Sequence, residues 1–244
     1  MDTFVFEGLI DFHSHLLPEV DDGCASDEQS VEAATRLKEV GFIGSICTPH
    51  VIPDHFPDNT VPKIAEGVAE LRQVYAAAQL EYQLWTGGEI SIRDYSVDWF
   101  RTHPIPTLAG SNCVLFDYWG AKWSESIDEF VDLLLERDLI PIWAHPERCV
   151  VARTERQWIQ AMQDKGVLLH GNLNSIYGGD GPDVEELALE LLKDERYTFV
   201  ATDTHKPGVG LEQRIAGMQR LAREFGEASV YRLMRDNPRT YFID

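Results

Sequence analysis

Residues 9–23, LIDFHSHLLPEVDDG, join a short apolar run to a histidine pair and an aspartate-rich turn. The apolar run is long enough for a buried strand, and residues two apart in a strand point to the same face. His13 and His15 are therefore expected side by side where the strand ends. Two imidazoles that project together are typical of a metal site, although a histidine pair in a surface loop is the simpler alternative.

The rest of the chain repeats this plan of a short apolar strand followed, in most cases, by a helix. Because the strands alternate with helical segments, the pattern predicts right-handed βαβ units and a parallel sheet. The strands are apolar throughout, as expected when both faces of a sheet are covered. Seven strands and no dinucleotide-binding glycine motif favour an α/β barrel, closed or nearly so, in one domain over residues 1–244. After residues 9–12, the predicted strands are 42–47, 81–85, 113–116, 140–144, 167–169 and 198–201.

A histidine or an acidic residue follows every one of these strands. In a βα barrel such positions share the C-terminal rim, where barrels of this kind build their active sites. One such residue alone is more often a loop hydrogen-bonder, but the complete set indicates a shared metal centre. Nitrogen and oxygen ligands suit Mn²⁺, Fe²⁺ or Zn²⁺, and so many ligands imply two or three ions. The residues are His13, His15, His50, Glu89, Asp117, His145, His170, Asp203 and His205.

Composition excludes several classes of partner. The formal charge is −20, from 21 basic and 41 acidic residues, so nucleic acid and anionic membranes would be repelled. No apolar run approaches the roughly 20 residues of a membrane-spanning helix, so no membrane insertion is expected. The first seven residues lack a basic region followed by an apolar one, which predicts no secretory signal and a cytoplasmic protein. The four cysteines form no CxxC pair, which predicts neither disulfides nor a cysteine zinc site.

The ordered motifs resemble those of a known superfamily. His-x-His with Asp-Asp-Gly, Thr-Pro-His, Gly-Gly-Glu-Ile, Ala-His-Pro-Glu-Arg and Thr-Asp-Thr-His are similar to the polymerase and histidinol phosphatase (PHP) superfamily. Within it, Leu16-Leu17-Pro18 and Asn237-Pro238 resemble the capsule-biosynthesis protein-tyrosine phosphatases of bacteria. The resemblance runs from Ile10 to about His205 and implies a distorted (β/α)7 barrel with its metal site at the C-terminal rim of the strands.

The resemblance also implies a trinuclear centre in which Glu89 bridges two ions, with Mn²⁺ favoured and Fe²⁺ or Zn²⁺ as alternatives. Arg148 matches the arginine that contacts phosphate in the family, and the alternative for this residue is an ion pair with Glu147 or another carboxylate of the surface. The implied ligands are His13, His15, Glu89 and Asp203 for the first ion, Glu89, Asp117 and His145 for the second, and Asp22, His50 and His205 for the third.

This chain departs from the pattern of those phosphatases at two positions. They usually have glutamate where Asp117 stands, and the shorter aspartate would place the second ion differently or leave part of its shell to water. They often have arginine where Gly210 stands, which weakens the expected phosphate pocket. Lys206 or Arg214 could replace that arginine.

Several other rim residues match no ligand position. His170 and Asn172 are expected to hydrogen-bond within the rim. Tyr118, Trp119 and Trp123 follow Asp117 and could stack on an aromatic substrate, although buried packing is expected for at least two of these three.

The function that these expectations favour is a metal-dependent phosphomonoesterase acting on phosphotyrosine in a protein tail. A polysaccharide-assembly tyrosine kinase is one candidate for that protein, and a small phosphomonoester is the other kind of substrate. A hydroxide bridging two cations would attack phosphorus in line, without a cysteine nucleophile. The alternatives are a small-molecule phosphatase such as one for histidinol phosphate, another metal-dependent hydrolase, or a non-catalytic regulatory subunit that retains metal.

Overall fold

The computed structural model describes residues 4–243, and every strand pair within that range is parallel. The strands are β1 Leu9–Ser14, β2 Phe42–Cys47, β3 His50–Val51, β4 Gln83–Thr86, β5 Glu89–Ser91, β6 Cys113–Asp117, β7 Ile140–Ala144, β8 Leu168–Asn172 and β9 Phe199–Ala201. The helices are α1 Asp27–Glu39, α2 Val61–Ala77, α3 Ser96–Thr102, α4 Glu125–Leu135, α5 Val150–Thr154, α6 Gln157–Asp164, α7 Leu173–Tyr177, α8 Pro182–Lys193, α9 Val209–Phe225 and α10 Glu227–Tyr231.

These nine strands of the described range occupy seven positions in the sheet. The hydrogen-bonded order is β1-β2-β4 in one group and β3-β5-β6-β7-β8-β9 in the other. Only two residues separate β2 from β3, and only Gly87 and Gly88 separate β4 from β5. The pairings of Cys47 with Thr86 and of His50 with Glu89 keep the same register across both interruptions. The two groups of strands are therefore continuous through these positions.

The first and last strands meet at their carboxyl ends. Ser14 forms an isolated parallel bridge with Thr204, and the Asp203 backbone N–H donates to the His13 carbonyl at 2.9 Å. Deeper in β1, the buried Asp11 carboxylate accepts from the Thr202 hydroxyl at 2.6 Å. These contacts place the seven strand positions around one rim, as the sequence predicts. The arrangement is distorted because β4 pairs with β2 alone, whereas β5 continues to β6.

Apolar side chains fill the interior beneath the rim. Phe242, in the π-helical turn Arg239–Ile243 near the end of the chain, packs on Phe12 and Phe199 with ring centroids 5.4 and 5.0 Å away. Along β7 the side chains alternate, so Ile142 joins this interior cluster while Trp143 packs in the layer between strands and helices. A filled interior confines polar chemistry to the rim.

Local signals account for the helix that follows the first strand. The Ser26 hydroxyl accepts from the Gln29 backbone N–H at 3.4 Å, which caps α1, and Asp27 and Glu28 lie in its first turn. The Ser26 cap and these acidic residues explain why a helix begins here. Across residues 4–243, no helix combines the length and the apolar character that a bilayer crossing requires.

Candidate metal centre and phosphate site

The nine side chains that the family resemblance implies as ligands lie together at the rim. They form four overlapping groups, and within each group the potential ligand atoms lie within 4.8 Å of one another. Glu89 belongs to two of the groups, and His13, His15 and His50 also recur. The groups are His15, Asp22, His50 and His205; His13, His15 and Asp203; His13, Glu89 and His145; and His50, Glu89 and Asp117.

Glu89 occupies the centre of this cluster and is almost fully buried. Its Oε2 lies 3.4 Å from His13 Nε2 and 2.9 Å from His50 Nδ1, and its Oε1 lies 3.1 Å from His145 Nε2. The short contact with His50 does not have hydrogen-bond geometry, so both of those atoms lack a hydrogen-bond partner. Asp117 Oδ1 lacks one as well.

Buried polar atoms without partners are costly, so unpartnered atoms that converge need an explanation. One imidazole nitrogen and two carboxylate oxygens, drawn from three neighbouring strands, are a donor set that divalent cations bind. The residues present therefore fit a metal centre, on the geometry of their donor atoms.

The outer ring nitrogens of His13 and His15, at the end of β1, are already engaged. His13 Nδ1 lies 2.9 Å from His170 Nε2, and His15 Nδ1 donates to Asp21 Oδ2 at 2.7 Å. Both Nε2 atoms are left facing Asp203 Oδ1, at 3.4 and 3.3 Å. Histidine ligands of metals typically hold their second nitrogen in this way. The prediction that His170 hydrogen-bonds within the rim is confirmed.

Asp21 is a residue whose role the sequence analysis missed. Besides its contact with His15, its carboxylate accepts the backbone N–H groups of Gly23 and His50, each at 2.9 Å. An aspartate that bonds the backbone two residues ahead is a recognised turn motif, so Asp-Asp-Gly carried a usable signal. A Cβ on Gly23 would lie 2.2 Å from the His15 carbonyl oxygen, which explains why glycine ends this turn.

The Asp203 carboxylate divides its two oxygens between the cluster and its surroundings. Oδ1 faces the histidines, whereas Oδ2 accepts from Arg148 Nη1 and from Asn172 Nδ2, both at 2.8 Å. The outer contacts fix the carboxylate, so that its inner oxygen stays directed at the cluster. The expected hydrogen bond of Asn172 within the rim is confirmed.

Unusual backbone conformations aim several of these side chains. His145 and Asp203 have φ angles of 35° and 52°, in the left-handed region that non-glycine residues avoid. Such conformations cost about 1–3 kcal/mol and persist where the surrounding structure holds them. In β1 the pairing register shifts between Asp11 and Ser14, the segment that carries His13.

The histidines and carboxylates of the cluster shift each other's protonation. Burial would lower the pKa of His15, but hydrogen bonds to Asp203 and Asp21 outweigh burial and hold that pKa well above its ordinary value. Burial would also lower the pKa of His50, but the charge of the nearby Glu89 carboxylate outweighs burial and raises that pKa to about 9. Protonated histidines thus balance the buried carboxylates, and bound cations would take over that role by displacing protons.

Asp117 shares Glu89 with His145 but falls in a different group of potential ligands. It groups with His50 and Glu89, whereas His145 groups with His13 and Glu89. The Trp119 indole N–H donates to Asp117 Oδ2 and leaves the unpartnered Oδ1 for the cluster. The resemblance implies Glu89, Asp117 and His145 as ligands of the second ion. Their assignment to one shared ion stays a prediction.

Arg148 pairs with the cluster and not with its neighbour in sequence. Its Nη1 donates to Asp203, and its side chain is 25% exposed. The Glu147 carboxylate is buried and accepts from the Asn172 backbone N–H at 2.9 Å and from the Tyr197 hydroxyl at 2.8 Å. The alternative pairing with Glu147 is therefore wrong. The contact with Asp203 uses one of five guanidinium donors, which leaves this group suited to bind an oxyanion.

Arg214 hydrogen-bonds to the backbone of the loop that carries Asp203. Its Nε donates to the Thr202 carbonyl at 2.6 Å, and its Nη1 donates to the Gly210 carbonyl at 2.9 Å. Two of its donor groups are thus committed to the backbone. Lys206 is exposed, and its suggested role as a replacement cation stays a prediction.

Known proteins of one family are similar to this chain over most of its length. The sequence profile of the family described as capsular polysaccharide synthesis, CpsB/CapC, matches residues 9–242. Tyrosine-protein phosphatase YwqE of Bacillus subtilis (strain 168) is 25% identical over 92% of this chain and 88% of its own length. Tyrosine-protein phosphatase CpsB of Streptococcus pneumoniae is 24% identical over 97% of this chain and 99% of its own length.

Solved structures share the fold. A crystal structure from a study of YwqE from Bacillus subtilis and CpsB from Streptococcus pneumoniae, described as metal-dependent tyrosine phosphatases, has a TM-score of 0.82 at 24% identity and covers 91% of this chain and 90% of its own. A histidinol phosphate phosphatase from Lactococcus lactis, with zinc, L-histidinol and phosphate, has a TM-score of 0.53 at 16% identity, covering 91% of this chain and 94% of its own. The predicted PHP-type fold and the predicted family resemblance are both confirmed. Because the profile spans nearly the whole sequence, this chain belongs to the CpsB/CapC family of capsular polysaccharide synthesis.

Proposed function

We propose that this protein is a metal-dependent protein-tyrosine phosphatase of capsular or exopolysaccharide biosynthesis. The observation that carries the proposal is the convergence of buried, unpartnered histidine and carboxylate atoms around Glu89, with Arg148 beside them at the rim. The names of the relatives, which are tyrosine-protein phosphatases, support the same reaction.

The nine clustered side chains are the proposed ligands of two or three divalent cations. Mn²⁺ is the favoured ion, and Fe²⁺ and Zn²⁺ are the alternatives, because all the donors are nitrogen or oxygen. Such cations supply a nucleophile at neutral pH by lowering the pKa of water towards about 7, and they neutralise phosphoryl charge. The proposed set is His13, His15, Asp22, His50, Glu89, Asp117, His145, Asp203 and His205.

Arg148 is the proposed substrate-binding and catalytic side chain. Its planar guanidinium can pair with two phosphoryl oxygens, and Asp203 holds it at the edge of the cluster. Phosphotyrosine leaves as a phenol with an ordinary pKa of about 10, so its departure needs less help from an acid than an alkyl alcohol would. The main task of the rim residues is thus to bind and orient the phosphoryl group, because the leaving phenol needs little proton donation.

Cysteine chemistry is not needed and is poorly supported. All four thiols are buried and free. Burial raises the pKa of Cys24 to about 12 and of Cys113 to about 11, and it also raises the pKa of Cys149, which adjoins Arg148. Thiols that stay protonated are weak nucleophiles.

The substrate that we propose is phosphotyrosine in a protein tail, with a polysaccharide-assembly tyrosine kinase as a candidate bearer. We propose the cytoplasm as the compartment, since four free thiols suit a reducing environment. We also propose that residues 1–244 work as one domain. The family match over residues 9–242 and the contact of the first strand with the last support this proposal.

Hydrolysis by reconstituted protein tests the function. Metal-free protein supplied with Mn²⁺ should release phosphate from phenyl phosphate and from a phosphotyrosine peptide, and faster than from ethyl phosphate. Faster turnover of histidinol phosphate than of either aryl substrate would favour the small-molecule phosphatase. Protein that binds Mn²⁺, Fe²⁺ and Zn²⁺ yet hydrolyses no phosphomonoester with any of them would favour the regulatory subunit.

Arg148→Ala should lower kcat/KM for phenyl phosphate by roughly 30- to 1,000-fold, or about 2–4 kcal/mol, because a preorganised charge on the phosphoryl oxygens is lost. Arg148→Lys should recover only part of that rate, since an ammonium group cannot form the planar fork. With Mn²⁺ in excess, metal content should stay at the wild-type value in both variants, because Asn172 still holds the Asp203 carboxylate.

The matched control is Arg156→Ala, which removes an exposed arginine that pairs with Glu190 on the surface. Its rate should lie within about twofold of wild type, as expected for an exposed ion pair. A wild-type rate for Arg148→Ala would refute the proposal that Arg148 binds the phosphoryl group.

A further inference from the structure

Trp119 lies at the edge of the rim and is held there by polar contacts. Its indole N–H donates to the Asp117 carboxylate, and its ring lies 5.6 Å from the His145 ring at an angle of 44°. The Arg148 guanidinium carbon lies 4.8 Å from the centre of the indole. Trp119 nevertheless remains 44% exposed. The side chains proposed to bind metal and phosphate thus orient the indole, while much of the indole surface stays exposed.

The two other aromatic residues of this loop are engaged elsewhere. Trp123 stacks on Trp158 with ring centroids 4.5 Å apart, and its N–H donates to Asp128 at 2.7 Å. The Tyr118 hydroxyl donates to the Lys122 carbonyl at 2.6 Å. Both side chains pack against the hydrophobic core, as expected for at least two of the three aromatics, although each is half-buried and not fully buried. Of these three, Trp119 is the one described in contact with Asp117, His145 and Arg148.

A cleft of about 390 Å³ opens beside Trp119 on the side of the loops that follow β5 and β6. Besides Trp119, its walls include Arg93, Asp94, Tyr118 and Ser124. A phosphoryl group bound by Arg148 would hold whatever it esterifies close to the indole, because the guanidinium and the indole are in contact. An aromatic group at that position could stack on Trp119, and the substrate peptide that carries this group could continue along the cleft.

We infer that Trp119 determines specificity by stacking on the ring of an aryl phosphate held at Arg148, so that the site prefers phosphotyrosine to alkyl phosphates. The inference rests on the proposed function and assigns the selection of its substrate to one side chain. Aromatic pairs prefer offset or edge-to-face contacts and contribute beyond the area they bury. An alkyl group offers no such partner to the indole.

Two variants separate stacking from the hydrogen bond to Asp117. Trp119→Phe keeps an aromatic ring and loses the N–H donor, whereas Trp119→Gln keeps a side-chain N–H donor and loses the ring. Affinity for two non-hydrolysable probes, phenylphosphonate and ethylphosphonate, is measured by calorimetry on Mn²⁺-loaded protein. Metal content is measured on the same samples. Trp99→Gln is the control, because Trp99 is also exposed but stacks on His103 in another part of the chain.

Wild type should bind phenylphosphonate more tightly than ethylphosphonate, and Trp119→Gln should reduce this preference by about two- to twelvefold, the range that aromatic pairs span. Trp119→Phe should keep most of the preference, and Trp99→Gln should keep all of it. If Trp119→Gln weakens both probes by the same factor, or if wild type shows no preference, the inference is overturned. The proposed function is judged separately. If wild type prefers phenylphosphonate but hydrolyses no phosphomonoester, the proposed phosphatase activity is refuted, whereas the proposed aryl-binding role of Trp119 is supported.

Discussion

Replacing Glu89 by glutamine should lower kcat/KM by on the order of 1,000-fold and should reduce the number of bound ions per chain. Glu89 is buried among three histidines that it approaches to within 3.4 Å, and its carboxylate is the one that the resemblance assigns to two ions. Losing a partner outside the ligand shell already costs about 10- to 100-fold in metal affinity or activity. A shared ligand should therefore cost more, because glutamine keeps the shape of the side chain but removes the charge that binds both ions.

Metal content measured by mass spectrometry and thermal unfolding with and without Mn²⁺ give two readouts that do not depend on activity. A ligand that binds the folded state stabilises it by RT ln(1 + [L]/Kd), so the variant should show a smaller Mn²⁺-induced rise in Tm than wild type. Glu186→Gln, an exposed position on α8, is the matched control and should behave as wild type in all three measurements. Wild-type metal content and rate in the Glu89→Gln protein would refute the shared-ligand proposal.

Chelation should abolish activity, and thiol alkylation should leave most of it. EDTA removes the cations that the proposed mechanism requires, so the rate should fall to background and return when Mn²⁺ is added in excess. Iodoacetamide reacts with thiolates, and the four buried thiols have pKa values raised by burial, which keeps them protonated near neutral pH. Native protein should therefore be alkylated slowly and without a matching loss of rate.

Counting modified cysteines by mass spectrometry, in native and in denatured protein, shows whether the reagent reached the thiols. The opposite pattern, with loss of rate on alkylation and none with EDTA, would indicate a thiol nucleophile. Cys149 would then be the candidate, because it adjoins Arg148 in the sequence.

The strands, the main helices and the kind of residue that follows each strand could be predicted from the sequence. Burial pattern and capping are local properties, and the strand from Phe42 to Cys47 and the capped start of α1 follow from residues only a few positions apart. The rim location of the candidate ligands also follows, since parallel strands with right-handed connections bring all their carboxyl ends to one face.

The orientation and the partners of those side chains depended on contacts between residues far apart in the sequence. The Asp21 carboxylate reaches both His15 and the His50 backbone, and the Arg148 guanidinium reaches Asp203 across 55 positions of the chain. Such pairings arise when seven strand positions close around one rim, so no local pattern predicts them. The sequence by itself therefore determined which kinds of side chain lie at the rim. Only the tertiary structure decided which oxygen of each carboxylate faces the cluster, and which indole is left exposed beside it, because those choices depend on neighbours that folding alone brings into contact.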